Sequence, residues 1–599
     1  MPKLANQESI LYQTLTESLT DLPIIPLYQK DFANGTYRIQ SSGIYRLMED
    51  IVFDPNPDND YKPYPNDPKY CTPPQLAGTT FSKPFSLGFF AAITIETHHV
   101  MIDLNGHSMS QSKAHALQQR FYAHIDLTNT PFLPNQGPGD FGNIVIPGKY
   151  CVIRNGTLLL SSHHGIHGNN ASYIILEDLV IKDFEVAAIQ ISGGSNIILR
   201  NIKIGPNRQD IPVMATYSAG RFLLQFVDAL LKVYPDQLLQ NKRDQLANEM
   251  NVVFQEVMTT GKTTHPVFEN PSGLLDGLVY GVLIHPPGVA INDFINSKFT
   301  GPFSENVFLN KICIQNLKCR VDEVVGISGP NGTGMQIDPS NSVFKILSVT
   351  DSNGFYKGNA LTDLQIAYAQ KCLSVPLPQG MSGKLTITSD LVEWATSNLN
   401  IQDIFKRKNY KYKCSADSML HLTKGCIGYR LDGVKSFFLR KCSLSYLVNY
   451  GYLGSDICGQ YLLSHDKQER PGYHGADTTG INLSNCSNGE FFDIKLTNLH
   501  SHNGETRGIR FINGCHHLVF NNVHIENLKA GHCLENGIWK GQNSYGKLVP
   551  YTNRLPNIIP NAIGIKVEDP TYHLKVKQAH IKHLQAPGLH TKVFGTEGL

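Results

Sequence analysis

Gly165–Ile181 reads GIHGNNASYIILEDLVI, and the same phrase begins again twenty-three residues later as AIQISGGSNIILRNIKI, Ala188–Ile204. It returns as GYRLDGVKSFFLRKCSL over Gly428–Leu444 and as GINLSNCSNGEFFDIKL over Gly480–Leu496. A fifth copy, GIRFINGCHHLVFNNVHI over Gly508–Ile525, carries one extra residue. The second position is apolar or aromatic throughout: Ile166, Ile189, Tyr429, Ile481, Ile509. The fourteenth position, one later in the longer copy, is Asp178, Asn201, Lys441, Asp493 and Asn522, each followed by apolar residues spaced by two. Period-two alternation predicts short strands with one buried face. Asn or Asp at a fixed corner suits a backbone that must turn left-handed.

A strand-rich unit of this length, repeated, is the coil of a solenoid. Leucine-rich repeats have a similar period, but their fixed Leu and Asn pattern is missing here, and each copy holds two apolar strand segments. The reading is an all-β solenoid, a parallel β-helix in which coils stack at roughly 4.8 Å and like residues form ladders. VMIDLNGHSM (Val100–Met109) and VIRNGTLLL (Val152–Leu160) fit too, each with Asn-Gly at the corner.

The phrase IDLNGH followed by such coils resembles the right-handed parallel β-helix proteins of the pectin-lyase-like superfamily. That group includes polysaccharide lyases, polygalacturonases, alginate epimerases and viral tailspikes. The resemblance extends over about half the chain and implies a right-handed parallel β-helix. Several phrases, QQRFYAHIDL, PFLPNQGPGDFG, SSHHGIHGN and EVAAI, are similar to uncharacterised β-helix proteins of protists and large DNA viruses, which implies no activity. Fold alone supplies none.

The 599 residues are ample for a large core, and a solenoid can remain one domain beyond the usual globular limit. Fifty-two basic residues against fifty acidic ones leave a net charge of +2. No global field therefore draws the protein to nucleic acid or an anionic membrane. The twenty-three histidines add positive charge only on acidification. MPKLANQESILYQTLTESLT lacks the charged n-region and apolar run of a signal peptide, and no apolar stretch is long enough to span a bilayer. Twelve cysteines without an export signal imply free thiols in a reducing compartment (the cytoplasm) or inside a particle such as a virion. Cys442, Cys486 and Cys515 fall within the repeats as small core filler. No CxxC pair occurs, so a structural zinc site has no support, and no cofactor is expected.

The expected organisation places an N-terminal cap at residues 1–90, in which SGIYRLMEDIVFD alternates like a strand, and coils at 91–205, interrupted by PFLPNQGPGDFG. A helical insertion follows at 206–303: Phe222, Phe226, Leu230 and Leu231 share one face, and Leu246, Met250, Val253 and Phe254 share a second. A coil at 304–340, an irregular insertion at 341–425 with the helical candidate SDLVEWATSNL, coils at 426–535 and a C-terminal cap at 536–599 complete the chain.

Coil register also brings distant residues together. A shift of one coil sets Ser162, His163 and His164 beside Glu185, Val186 and Ala187, with His167 near Ile189 and Gln190. Histidines and a carboxylate one coil apart can touch, and such a pair moves protons near neutrality. His163, His164, His167 and Glu185 are therefore the candidate acid–base residues. Gly165 and Gly168 would admit a substrate close to the backbone. Arg120, His115 and Gln190 are candidate substrate contacts, Arg120 as the cation for an anionic sugar, with His115 and His124 nearby. The other reading is a hydrogen-bonded histidine ladder that satisfies turn backbone. A metal held by His163, His164 and His167 has less support, because adjacent strand residues face opposite sides.

A second polar cluster comprises His500, His502 and Glu505, then His516 and His517, with Lys529 and His532 a coil further on; a solvated turn column explains it as well. YHGADTTGIN, holding His474 and Asp477, is similar to the Asn-Thr-Asp-Gly phrase of polygalacturonases, but Thr479 stands before Gly480. The carboxylate pair of inverting glycosidases is thus absent there, and that family's catalytic assignment does not transfer. No Asp cluster matching the pectate-lyase calcium site, no nucleotide-binding loop and no serine elbow is found.

Two functions remain. The first is a carbohydrate-active protein that binds a polysaccharide along its flank and cleaves or epimerises it by His/Glu chemistry. It needs a cleft in which the 131–142 excursion and the helical insertion roof the SHHGIH coil. The second is a non-enzymatic structural or adhesive rod, such as a virion surface or fibre component, with flat flanks and homo-oligomeric, commonly trimeric, association. A rod needs no such helical insertion, which favours the first, although the insertion serves equally well as an interface.

Overall fold

The computed structural model describes residues 2–64, 67–70, 85, 88–119, 122–131, 133, 145–207, 237–260, 279–286, 303–321, 336–337, 412–413, 426–452, 477–502, 504–531, 533–535, 538–542, 548–550, 561–568 and 571–586. Within them the chain is a right-handed parallel β-helix, the hand that crossovers between parallel strands take. Two long sheets carry it, one of ten strands and one of fifteen. In the ten-stranded sheet the strands run in chain order from Tyr37–Ile39 through Ala91–Ile95, Ala123–Asp126, His164–Asn169, Ala187–Ser192 and Val279–His285. They continue with Cys426–Asp432, Thr478–Ser484 and Thr506–Ile512 to Ala562–Val567. Its neighbours are parallel, and the repeat alignment is the observed register: Ile166 opposes Ile189, Tyr429 opposes Ile481, and Ile481 opposes Ile509.

The corner residues explain why this sequence coils. Asp178, Asn201, Lys441, Asp493 and Asn522 all have φ between 51 and 59°. Asn and Asp enter this region at the least cost, because their short polar side chains bond locally. Stacked on neighbouring coils, they also bond to each other: Asn522 Nδ2 donates to Asp493 Oδ1 at 2.7 Å, and Asn201 donates to Asp178. A second left-handed column, Asn170, Gly193, Gly433, Asn485 and Asn513, turns the chain between the two sheets.

The first two positions of each phrase both face inward, and that accounts for the glycine that opens most copies. Ile166, Ile189, Tyr429, Ile481 and Ile509 fill the core. The residue before each lies against the opposite wall: a Cβ on Gly480 would stand 2.6 Å from the Gly508 carbonyl and 3.1 Å from Leu496 Cδ1. Cys442, Cys486 and Cys515 are buried in this same core as free thiols.

Three of the blocks expected to lie outside the coils hold strands of the ladder. Within residues 1–90, Ile24–Leu27, Gly43–Leu47 and Ile51–Phe53 pair in parallel with the strands that follow, making a first coil. The helix Pro2–Glu17 lies on the flank of the fifteen-stranded sheet. There Leu15 and Leu19 pack on an outward apolar column of Met101, Val152, Ile175, Ile198, Phe308 and Phe438. Sixteen helical residues extend about 24 Å, so one helix crosses several coils. Arg200 ties it down, its guanidinium 3.6 Å from the Tyr12 ring centroid and bonded to Glu177 at 2.6 Å.

The 206–303 block is not wholly an insertion either. Val279–His285 sits in the ladder between Ala187–Ser192 and Cys426–Asp432. Its seven residues continue the alternation of their neighbours, but the long detour before them hides the period. Helix Gln237–Thr260 contains the second predicted helical face, while the first, Phe222–Leu231, falls outside the described residues. Most of 341–425, with SDLVEWATSNL, also lies outside them; only Tyr412–Lys413 is seen, antiparallel to Gln336–Ile337. Within 536–599, Ala562–Val567, Tyr572–Val576 and Ala579–Gln585 add a further coil. Among the described residues no helix is long and apolar enough to cross a membrane.

Candidate functional site

Because two consecutive residues of each coil face inward, the residues on either side of them both face out. His164 and His167 are such a pair, three apart in sequence, with rings 5.4 Å apart and stacked at 11°. His163 reaches the same place, its Nδ1 3.1 Å from His164 Nδ1. One of those nitrogens must donate and the other accept, so the two rings share a proton. His167 Nδ1 lies 3.1 Å from Asp126 Oδ2, on the preceding coil, where the ladder sets the two residues opposite each other. On the following coil Gln190 opposes His167 and lies beside His164.

The cluster is largely removed from water: His164 is 5% exposed and His167 6%. Burial, then the neighbouring His163 and His167, holds the His164 imidazole well below its ordinary range, with Gln190 opposing. It is a neutral base at neutral pH. Burial pushes the Asp126 carboxyl up, while His167 opposes that shift through charge and hydrogen bond. Among the described residues His164 Nε2 is buried without a hydrogen-bond partner, as is Asp126 Oδ1.

The predicted residues distribute as follows. His163, His164, His167 and Gln190 converge on the outward face. Glu185 lies beside Ser162, fully buried, with the next residue's N–H bonded to the His163 carbonyl at 2.9 Å. The carboxylate bonded to an imidazole is Asp126, which the sequence reading passed over. Its signal was present: AHID aligns with HGIH once Ile125 is matched to Ile166, but the 131–142 excursion lengthens that coil and conceals the period.

His115 requires correction as a sugar contact. It is fully buried, edge-on to Phe53 and Tyr122, with Nδ1 3.0 Å from Gln111 Nε2. Gln111 Oε1 in turn accepts the Ser162 N–H at 2.8 Å, so His115 buttresses the loop that carries His163. Arg120 lies outside the described residues. Gly165 and Gly168 serve packing and not substrate approach: their added Cβ atoms would meet the Ala188 carbonyl at 2.6 Å and Leu127 Cβ at 3.0 Å. Among the described residues no group of three or more His, Cys, Asp or Glu side chains is arranged to hold a metal ion.

The second predicted cluster separates. Glu505 joins Arg507 and Lys566 in place of histidines, with Asp477 on Arg507 at 2.9 Å and Glu568 on Lys566 at 2.5 Å. Burial alone would raise the Glu505 carboxyl; Arg507 and Lys566 override it and hold it at about 2. A carboxylate so firmly ionised is no general acid. His500 bonds the Gly531 carbonyl at 2.9 Å, while His516 and His517 stack on Tyr572 and His573 on the fifteen-stranded sheet. His474 and His532 lie outside the described residues.

No protein-family model matches the chain, and no curated protein matches it. Among solved structures it is similar to the A-module of the Azotobacter vinelandii mannuronan C-5 epimerase AlgE4, at 6% identity and a TM-score of 0.23, over 93% of this chain and 90% of that one. It is also similar to the Agl-KA catalytic domain, at 10% identity and a TM-score of 0.26, over 96% of this chain and 65% of that one. Neither likeness bears on the chemistry of the histidine cluster.

Proposed function

We propose that this chain is a carbohydrate-active β-helix protein that binds a polysaccharide along the outward face of its ten-stranded sheet. It cleaves or epimerises the sugar by acid–base chemistry at the histidine cluster. His164, neutral and buried, is the base. His167 is the second acid–base group, its ring oriented by Asp126 on Nδ1. His163 relays a proton to His164 through their shared Nδ1 contact, and Gln190 orients the ring and contacts the sugar. Glu185 stays in the site's buried support, one coil from the loop bearing His163.

The observation that carries this reading is His164 Nε2, buried and unpartnered among the described residues. Leaving such an atom unbonded costs about 1–3 kcal/mol, and a ladder serving structure alone would satisfy it. A ligand hydroxyl or acidic C–H supplies the missing partner. The rod reading draws support from a different place: His517 on His573 and His516 on Tyr572 stack as columns on the other sheet.

The deciding experiment is a polysaccharide digestion screen with a glycan array, run on wild type and on His164→Ala, His167→Ala and Asp126→Asn. Turnover of one polysaccharide, reduced about 10²- to 10⁴-fold in His164→Ala, is expected. A wild type that neither binds nor alters any polysaccharide refutes the proposal, as does full activity in His164→Ala.

A further inference from the structure

Two coils along the same outward face, a serine and a histidine meet in a way the histidine cluster does not use. Ser192 ends strand Ala187–Ser192 and His285 ends strand Val279–His285, and the ladder sets them opposite each other. His285 Nδ1 lies 3.1 Å from the Pro286 carbonyl. A carbonyl only accepts, so Nδ1 carries the proton and Nε2 presents its lone pair. That lone pair faces Ser192 Oγ at 2.8 Å, so the hydroxyl donates to the imidazole. This is the arrangement of an activated nucleophile: hydroxyl, base, and a third group that holds the base's tautomer. Burial, and then Arg430, draw His285 down to about 3, which keeps the ring neutral and able to accept.

The column continues in the same sense on both sides. Asp432 stands one coil beyond His285, since Ile284 pairs with Leu431. Its Oδ2 accepts from Arg430 Nε at 2.7 Å, while its Oδ1 is fully buried with no partner. That carboxylate is committed to the guanidinium, so it is the Pro286 carbonyl that holds the His285 tautomer. On the other side Asn169 opposes Ser192, its Nδ2 donating to the Thr130 carbonyl at 3.2 Å. A primary amide carries a second N–H besides the one this bond uses.

We propose that Ser192 and His285 form a second reaction centre, an acyl-transfer site that hydrolyses a small uncharged carboxylic ester. Ser192 Oγ attacks the ester carbonyl as its proton passes to His285 Nε2. The tetrahedral oxyanion takes a hydrogen bond from the Asn169 amide. Collapse breaks the acyl–oxygen bond, and the leaving alkoxide takes the proton back from His285. Water then attacks the acyl-serine through the same base, releasing the carboxylic acid and restoring the hydroxyl, so one ester and one water give one acid and one alcohol. The acyl group must be small and neutral: Ser192 is 4% exposed and His285 3%, and the nearby Arg430 is already bonded to Asp432.

The test uses a fluorophosphonate probe and p-nitrophenyl acetate on the full-length protein, with peptide mass spectrometry to place the adduct. Neither reagent contains a sugar, so the outcome is independent of the polysaccharide reading. A single adduct on Ser192 is expected, absent in Ser192→Ala and formed about 10²-fold more slowly or worse in His285→Gln. A folded wild type that acquires no adduct on Ser192 under conditions that fully label a reference serine hydrolase overturns the proposal. So does labelling of a folded His285→Gln at the wild-type rate.

Discussion

His124 provides a quantitative test of the solenoid interior. It occupies the inward column in which the flanking coils place Ala92 and Gly165, so an imidazole stands where its neighbours have almost no side chain. The ring is fully buried, with Nε2 2.9 Å from the Leu159 carbonyl and Nδ1 3.2 Å from the Tyr122 hydroxyl. Nε2 therefore donates and Nδ1 accepts, which only the neutral ring can do. Burial holds its pKa down to about 4 from an ordinary 6.5, the Leu159 bond opposing. Above about pH 6.5 the ring is neutral whether folded or unfolded, and folding gains or loses nothing from its titration. Below that the unfolded chain binds a proton that the folded chain refuses. Stability falls as pH drops toward 4 and levels off beneath it. At about pH 4.5 the loss is about 2.5 kcal/mol. Urea unfolding of wild type and His124→Gln at about pH 7.5 and about pH 4.5 isolates this contribution, because the carboxylates titrate alike in both proteins. The acid-induced loss should be smaller in the variant by about 2.5 kcal/mol. Equal losses would show that the ring is solvated or charged in the folded state, and the account of this column would fail.

Gly428→Ala should destabilise the protein by at least about 1–3 kcal/mol, because its Cβ would overlap Leu444 and stand 2.8 Å from the Gly480 carbonyl; thermal melts would read the loss, and an unchanged midpoint would refute the packing argument. Leu15→Ala should cost about 2–5 kcal/mol and expose helix Pro2–Glu17 to limited proteolysis, since Leu15 is wholly buried on the Val152–Ile175–Ile198 column. Cleavage at the wild-type rate would mean that the helix is held by something else.

The sequence by itself determined the coil. Period-two apolar residues, a Gly-Ile or Gly-Tyr pair and Asn or Asp at one corner are local requirements of a backbone that must turn and stack, and each leaves its mark on one residue. Repetition then set the register that opposes His167 and Gln190. Only the tertiary structure decided which long detours return to the ladder. Val279–His285 and the terminal strands are too short, and too far from their partners in sequence, for periodicity to reveal them. The same holds for the site. His163, His164 and His167 lie within one phrase and were legible, whereas Asp126 and the Ser192–His285 contact join residues 41 and 93 positions apart. A solenoid stacks whatever strands are next to pair, irrespective of how much chain lies between them. The sequence therefore records what each coil needs, and the stacking alone decides which side chains meet.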